Sequence, residues 1–398
     1  MVKEGEGKLK HKRVAFIHGP GDAYGTYAHW RRGREDPSIP KKTYSGQFYD
    51  LARDTGLQAL VICETGGDAS HHDWLHFKRI AKNHNYNGRL GYFRNEYAYF
   101  RKIRRALIEF EADAVIFTSY LHGIFAGMMP RDMDVVLALH NTYWQPFSTP
   151  KGLKKQISLA LLRRSFNRAF GAVCVSPEME RQIKALVPRP DFETRVQVPS
   201  VMRLPFDPRP RDRVRNLLFV GRITAEKGVF DLVNAFEQLA TKHPDLHLAY
   251  VGGGAAFEPL RDHVNQRFPD RVSLLGPSDS AEVIEHYLKA DLVICPTTTR
   301  FNEGLATVPI EAAVYGAPTL NSSVVPAREY FDHADLVFRA DDAADMALKI
   351  GALVNDPERY KLALAATDAG LRKIESSTMS WYQAMGSILG YQLNPDIV

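Results

Sequence analysis

Short, nearly continuous runs of Val, Ile, Leu and Phe punctuate the chain, and their spacing limits its fold more than any other feature. In the first half the runs are Arg13–Gly19, Leu57–Glu64, Asp113–Ser119, Asp134–His140 and Ala172–Ser176. In the second half they are Asn216–Gly221, Leu246–Gly252, Arg271–Gly276, Asp291–Pro296, Pro318–Asn321 and Leu336–Phe338. A strand with one wet face alternates apolar and polar residues. Runs without that alternation suit strands covered on both sides, as in parallel sheets. Stretches of helical period fill the gaps. In Gly228–His243, the residues Val229, Leu232, Val233, Phe236 and Leu239 recur at three- and four-residue steps and mark one apolar face. Ser280–Ala290 reads as a helix capped by Ser280, with Glu282 and Glu285 in its first turns.

Repeated strand–helix–strand units predict doubly wound α/β sheets. The 398 residues exceed what one core ordinarily organises, so two such domains are expected. Pro199, Pro205, Pro208 and Pro210 make Pro199–Arg215 a stiff connector. The predicted organisation is an N-terminal domain over 1–204, a C-terminal domain over 205–373, and a helix in 374–398 that packs back on the first domain. Two open sheets facing each other leave a cleft at the carboxyl ends of their strands.

Composition excludes several classes. Hydrophobic residues at 45% and charged residues at 24% are those of a globular protein, not a disordered or fibrous one. Cys63, Cys174 and Cys295 lie apart, each in an apolar run; they read as buried free thiols of a reducing compartment rather than as a zinc site. Met1–Lys12 lacks the apolar core of a secretory signal, and Ala114–Met129 is too short and too polar to span a bilayer. A cytoplasmic location follows as the expectation. Residues 1–200 carry a net charge of +11 and residues 201–398 a net charge of −6, which suggests two surfaces with different partners.

Two stretches carry chemistry. In Arg300–Pro318, Glu303 and Glu311 are eight residues apart, and helical spacing begins at Gly304. Eight residues return to nearly the same helix face, so both carboxylates would address one ligand. The amides of Gly304, Leu305 and Ala306, at the start of such a helix, would suit a phosphate. Glu311 lies among Pro309, Ile310, Ala312 and Ala313, where a carboxylate needs a partner. In Val220–Gly228, Arg222 and Lys227 stand between a strand and a helix; two cations there suit a pyrophosphate, although alone they read equally as a charged loop.

Together these pieces resemble the C-terminal domain of the family 4 retaining glycosyltransferases of GT-B fold. The resemblance runs from Asn216 to about Tyr360. It rests on Gly221-Arg222, Glu226-Lys227-Gly228, the strand end Tyr250–Gly254, Ala290–Pro296, the Glu303…Glu311 pair and Gly316-Ala317-Pro318. It implies two Rossmann-like domains facing a central cleft and a hexosyl-type transferase. The co-substrate would be a UDP- or GDP-sugar, the acceptor a glycan or lipid-linked glycan, and no metal or other cofactor would be needed. By resemblance, Arg222 and Lys227 bind the donor diphosphate, Glu303 the donor-sugar hydroxyls and Glu311 the ribose. The backbone at Gly276 and Pro277 meets the base. His140 at a strand end contacts the donor sugar, and Gly46 is the ligand-facing glycine of the first domain. The family often has Phe-Gly where this chain has Leu305-Ala306, which puts the Ala306 methyl where the backbone usually comes close to the ligand.

Other signals carry less. Asp132-Met133-Asp134 precedes its strand, the wrong side for a metal-binding pair. His71, His72 and His76 fall in what reads as a solvated helix or an acceptor loop. Gly252–Gly254 does not complete a dinucleotide fingerprint. The first half is basic and aromatic from His76 to Arg105, and basic again at Lys151–Lys155 and Arg163-Arg164. Leu153, Ile157 and Leu161, then Leu162, Phe166 and Phe170, recur at four-residue steps there. This reads either as a face for anionic lipid on the inner side of a membrane or as a helix packed on its own domain with a solvated basic rim. A sugar-nucleotide epimerase and a non-catalytic nucleic-acid-binding protein stand as the alternatives to a transferase; no recognised module supports nucleic acid as a partner.

Overall fold

A computed structural model of the chain describes residues 11–393, except 20, 35–41, 84, 119–124, 199, 202–209, 332 and 378. The predicted boundary at 204 and most of the proline-rich connector lie outside the described residues.

The first domain is built on strands β1 (Arg13–Ile17), β2 (Gln58–Cys63), β3 (Ala69–His72), β4 (Leu75–Arg79), β5 (Ala114–Phe117), β6 (Asp134–Leu139), β7 (Ala169–Cys174) and β8 (Glu193–Val196). They form one sheet in the order β3-β4-β2-β1-β5-β6-β7-β8, with every pairing parallel except the β3–β4 edge hairpin. Helices α1 (Ala23–Trp30) and α2 (Tyr44–Thr55) cover one face of this sheet; α3 (Gly88–Glu109), α4 (Leu153–Phe166) and α5 (Pro177–Leu186) cover the other.

The second domain has β9 (Asn216–Val220), β10 (His247–Val251), β11 (Val272–Leu274), β12 (Leu292–Cys295), β13 (Thr319–Ser322) and β14 (Val337–Phe338), all parallel, in the order β11-β10-β9-β12-β13-β14. Helices α6 (Val229–Ala240), α7 (Phe257–Arg267), α10 (Ala343–Asn355) and α11 (Pro357–Ser377) pack on one face. Helices α8 (Ser280–Lys289) and α9 (Val308–Val314) pack on the other. The last helix, α12 (Trp381–Ile388), lies on the first domain, where Trp381, Met385 and Ile388 join the core beneath α2. This is the GT-B architecture of two Rossmann-like domains.

All eleven apolar runs are strands, and the stripe Val229, Leu232, Val233, Phe236, Leu239 is the buried face of α6. The His71–His76 segment is not a helix: it is the β3–β4 hairpin, in which Leu75 and Phe77 point inward and His76 and Lys78 stand between them. The cap of α8 is Asp279 rather than Ser280, with a reciprocal capping box to Glu282.

A separate apolar cluster joins the domains. Val175 and Val198 of the first pack with Leu305, Ile310, Val325 and Phe331 of the second. The cleft is closed at this point.

Candidate active site

The site sits where the ends of β6, β9 and β12 converge. β9 gives way to the turn Gly221–Thr224 and a single helical turn, Ala225–Lys227. That turn is forced tight by Gly228, at φ +73°, where a Cβ would fall 1.9 Å from the Pro296 carbonyl oxygen. The three glycines after β10 serve packing as well: a Cβ at Gly252 would lie 1.9 Å from the Gly221 carbonyl oxygen, and one at Gly254 2.4 Å from that of Ile223.

This folding brings Arg222 and Lys227 over the ring of Phe301, at 5.5 and 4.3 Å from its centroid. Lys227 Nζ donates to Glu303 Oε2, and Thr297 Oγ1 donates to the same oxygen at 3.2 Å. Glu303 is only 8% exposed, so this pairing offsets its desolvation.

The first domain completes the site. His140, just past β6, stacks on Tyr44 at 4.7 Å, and Gln197 Nε2 donates to the Tyr44 hydroxyl at 3.0 Å. Burial pushes the Tyr44 hydroxyl up to about 12, so it remains a neutral donor and acceptor. Two hydroxyls reach across the cleft: Thr142 Oγ1 donates to the Glu303 carbonyl at 3.1 Å, and Ser176 Oγ to the Gly304 carbonyl at 2.6 Å. Gly304 abuts the His140 backbone so closely that a Cβ there would lie 1.8 Å from the His140 carbonyl oxygen. The glutamate loop is thus held by backbone contact from the opposite domain. Between these walls is a cavity of about 380 Å³, lined by Arg222, Lys227, Glu303 and His140 and also by Leu305 and Ala306.

Several expected positions differ. The segment after Glu303 is not helical: Ala306 has φ +62° and α9 starts only at Val308. The two glutamates therefore do not share a helix face, and Glu311 lies in the first turn of α9. Its carboxylate, buried, accepts from the Tyr287 hydroxyl at 2.8 Å, and Thr307 and Val308, not Glu311, line the cavity. Gly46 is in the first turn of α2 and its amide donates to Thr43 Oγ1 at 3.0 Å; Tyr44 is the residue of that turn that lines the cavity. Gly276 and Pro277 lie beyond the cavity wall, and the Gly276 carbonyl accepts from the Gly252 amide at 2.8 Å. Tyr44, Phe301, Thr142 and Ser176 escaped the sequence reading. An aromatic two residues before Glu303 was a usable signal; the two hydroxyls, more than a hundred residues from their partners, gave none.

The cavity between the two Rossmann-like domains, with two cations and a buried carboxylate on its C-terminal wall, lies where the GT-B fold leaves its interdomain cleft. The chain belongs to glycosyltransferase family 4. Residues 43–198 match the family model "Glycosyltransferase Family 4", and residues 203–367 match "Glycosyl transferases group 1". The chain is 24% identical to the phosphatidyl-myo-inositol mannosyltransferase of Mycolicibacterium smegmatis, over 84% of this chain and 86% of that protein. It is 28% identical to an uncharacterized glycosyltransferase of Haemophilus influenzae over 40% of this chain, and 29% identical to the glycogen synthase of Mycobacterium tuberculosis over 37%. These two alignments span 46% and 36% of the relatives' own lengths. In fold it is similar to sucrose-phosphate synthase from Thermosynechococcus elongatus, with a TM-score of 0.69, 18% identity, and coverage of 95% of this chain and 98% of that one. It is also similar to Anabaena HepE in complex with UDP, with a TM-score of 0.61, 16% identity, and coverage of 95% and 98%.

Proposed function

We propose that the protein transfers a hexosyl group, with retention at the anomeric carbon, from a UDP- or GDP-sugar to a glycan or lipid-linked glycan. The observation that carries this reading is the Lys227–Glu303 pair, with Arg222 beside it, on the wall of the interdomain cavity. A donor diphosphate entering there takes Arg222 and Lys227 as its counter-charges, and Glu303, released from Lys227, accepts hydrogen bonds from the hydroxyls of the donor sugar. The bond from the anomeric carbon to the diphosphate oxygen breaks, and the charge that develops on that oxygen is met by the two cations. The acceptor oxygen bonds to the same face of the carbon and its proton passes to the departing phosphate. His140, stacked on Tyr44, approaches the sugar from the opposite wall. The cations meet the phosphate charge without a metal ion, and Glu311, in the first turn of α9, is the candidate for the ribose hydroxyls.

The test is a screen of nucleotide sugars by thermal stabilisation, then turnover with an acceptor. Lys227→Ala is expected to lower kcat by roughly a hundredfold or more, the size of losing one charge-stabilising group, with acceptor KM little changed. Near-normal turnover would overturn the reading. Product that forms from the donor without an acceptor would replace it with an epimerase.

A further inference from the structure

We propose that the outer face of the helix layer formed by α3 and α4 docks on an anionic lipid bilayer. Thirteen large apolar side chains are exposed among the described residues, and nine of them belong to this layer and its connections. That concentration separates the face from ordinary scattered exposure.

Helix α4 is apolar on two faces. Leu159, Leu162 and Phe166 are buried against the sheet, as a packed helix requires. Leu153, Ile157 and Leu161, at steps of four on the opposite side, are out in solvent, with Leu153 77% and Leu161 64% exposed. Lys154 and Arg164 flank that stripe, and the helix contains no acidic residue. Helix α3 repeats the pattern. Tyr99, Phe100, Ile103 and Leu107 face the core, while Leu90 (86% exposed), Phe93 and Tyr97 face outward with Arg94, Arg101 and Arg104. Its two acids do not offset this charge: Glu96 is buried and paired with Lys82, and Glu109 is paired with Arg105. Both helices rest on the same side of the β1–β8 sheet, and the turn Ala126–Met128, with exposed Met128, packs against α4.

The chemistry of this face selects its occupant. Apolar side chains beside long cations match an interface in which leucines enter the acyl boundary while cations reach phosphate headgroups. A second copy of the chain, meeting face to face, would bring the same cations against each other. No described helix is long and apolar enough to cross a membrane, so the contact is peripheral. The face is also tied to the cleft. Asn141 lines the cavity, the chain then runs directly to α4, and Lys155 Nζ of that helix donates to the Tyr143 carbonyl at 2.6 Å. Docking thus sets the cleft beside the bilayer surface. The proposal concerns where the protein sits and does not depend on which sugar it moves.

The full chain is to be sedimented with phosphatidylcholine vesicles, with or without about a third phosphatidylglycerol, in the absence of any sugar nucleotide. Binding is expected only to the anionic vesicles, weakening as salt rises. The variant Leu153→Gln/Ile157→Gln/Leu161→Gln, whose residues are already exposed, is expected to keep its melting temperature and lose roughly tenfold or more in partitioning. Lys154→Glu/Arg164→Glu is expected to lose at least fivefold for each cation removed. Failure of the parent protein to bind anionic vesicles, or binding unchanged in both variants, overturns the proposal. So does a parent that binds no vesicles but is a dimer that the triple variant makes monomeric. Salt-dependent retention of nucleic acid without vesicle binding also overturns it. Since no donor is present, none of these outcomes bears on the transfer reaction.

Discussion

Gly304→Ala separates a closed catalytic cleft from two domains that merely lie close. A Cβ at 304 would fall 1.8 Å from the His140 carbonyl oxygen and 2.6 Å from its carbon, where ordinary contact begins at 3.4 Å. Neither atom belongs to a side chain that can rotate away. His140 follows β6, which is held on both sides by β5 and β7, so the strand cannot yield alone. Relief requires the domains to part here by the difference between 3.4 and 1.8 Å, about 1.6 Å. That shift carries the Thr142–Glu303 and Ser176–Gly304 hydrogen bonds out of range. Two bonds at about 1 kcal/mol each lower the closed population by roughly thirtyfold. Misplacing Glu303 by more than an ångström against the sugar can cost roughly a hundredfold. The expected result is a fall in kcat of about thirty- to a hundredfold, with donor KM less affected because the diphosphate groups belong to one domain. Each domain keeps its own core, so the melting temperature changes little. Gly56→Ala is the control: its φ of +70° strains any side chain, but no atom lies within 4 Å, so it should cost about 1 kcal/mol of stability and leave kcat alone. A Gly304→Ala enzyme with turnover within about twofold of the parent would refute the reasoning.

Ala306 holds a left-handed backbone at φ +62°, which costs a non-glycine residue about 1 kcal/mol, so Ala306→Gly should raise the denaturation midpoint slightly, by up to that amount less the added freedom of the unfolded chain. A lower midpoint would show that the methyl, packed beside Leu305, contributes more than the strain. Burial pushes the Cys63 thiol up to about 11 and the Cys295 thiol up to about 12, and that of Cys174 higher still. The folded chain therefore holds protons that the unfolded chain releases from about 9 upward. Stability from these groups is intact below pH 9 and declines as pH climbs towards 12. A thiol reagent at pH 8 should label the three cysteines rapidly only after denaturation; fast native labelling would contradict their burial.

Sequence carried the parts of this protein that depend on local chemistry. Buried parallel strands must be apolar on both faces, which is why every Val/Ile/Leu/Phe run became a strand. The strands that escaped lie at the two ends of the sheet: β8, an edge strand, reads Glu-Thr-Arg-Val because one side meets water, and β4, paired with the edge strand β3, alternates Leu75 and Phe77 with His76 and Lys78. Reading the histidines at a helical step hid that two-residue period. The delayed start of α9 was also written in the chain. Pro309 would interrupt a helix begun at Gly304 but suits the first turn of one begun at Val308. Asp279-x-x-Glu282 spelled a capping box that Ser280 obscured. What no local pattern held was the assembly of the site across the cleft. Arg222, Lys227 and Glu303 announce themselves as charges near strand ends. The groups that fix their geometry are a threonine and a serine whose partners lie 161 and 128 residues away, and a glycine required only because the other domain's backbone touches it. The charges of the proposed donor site are legible from their types and spacing; the closed cleft that holds them in place is a property of two domains meeting.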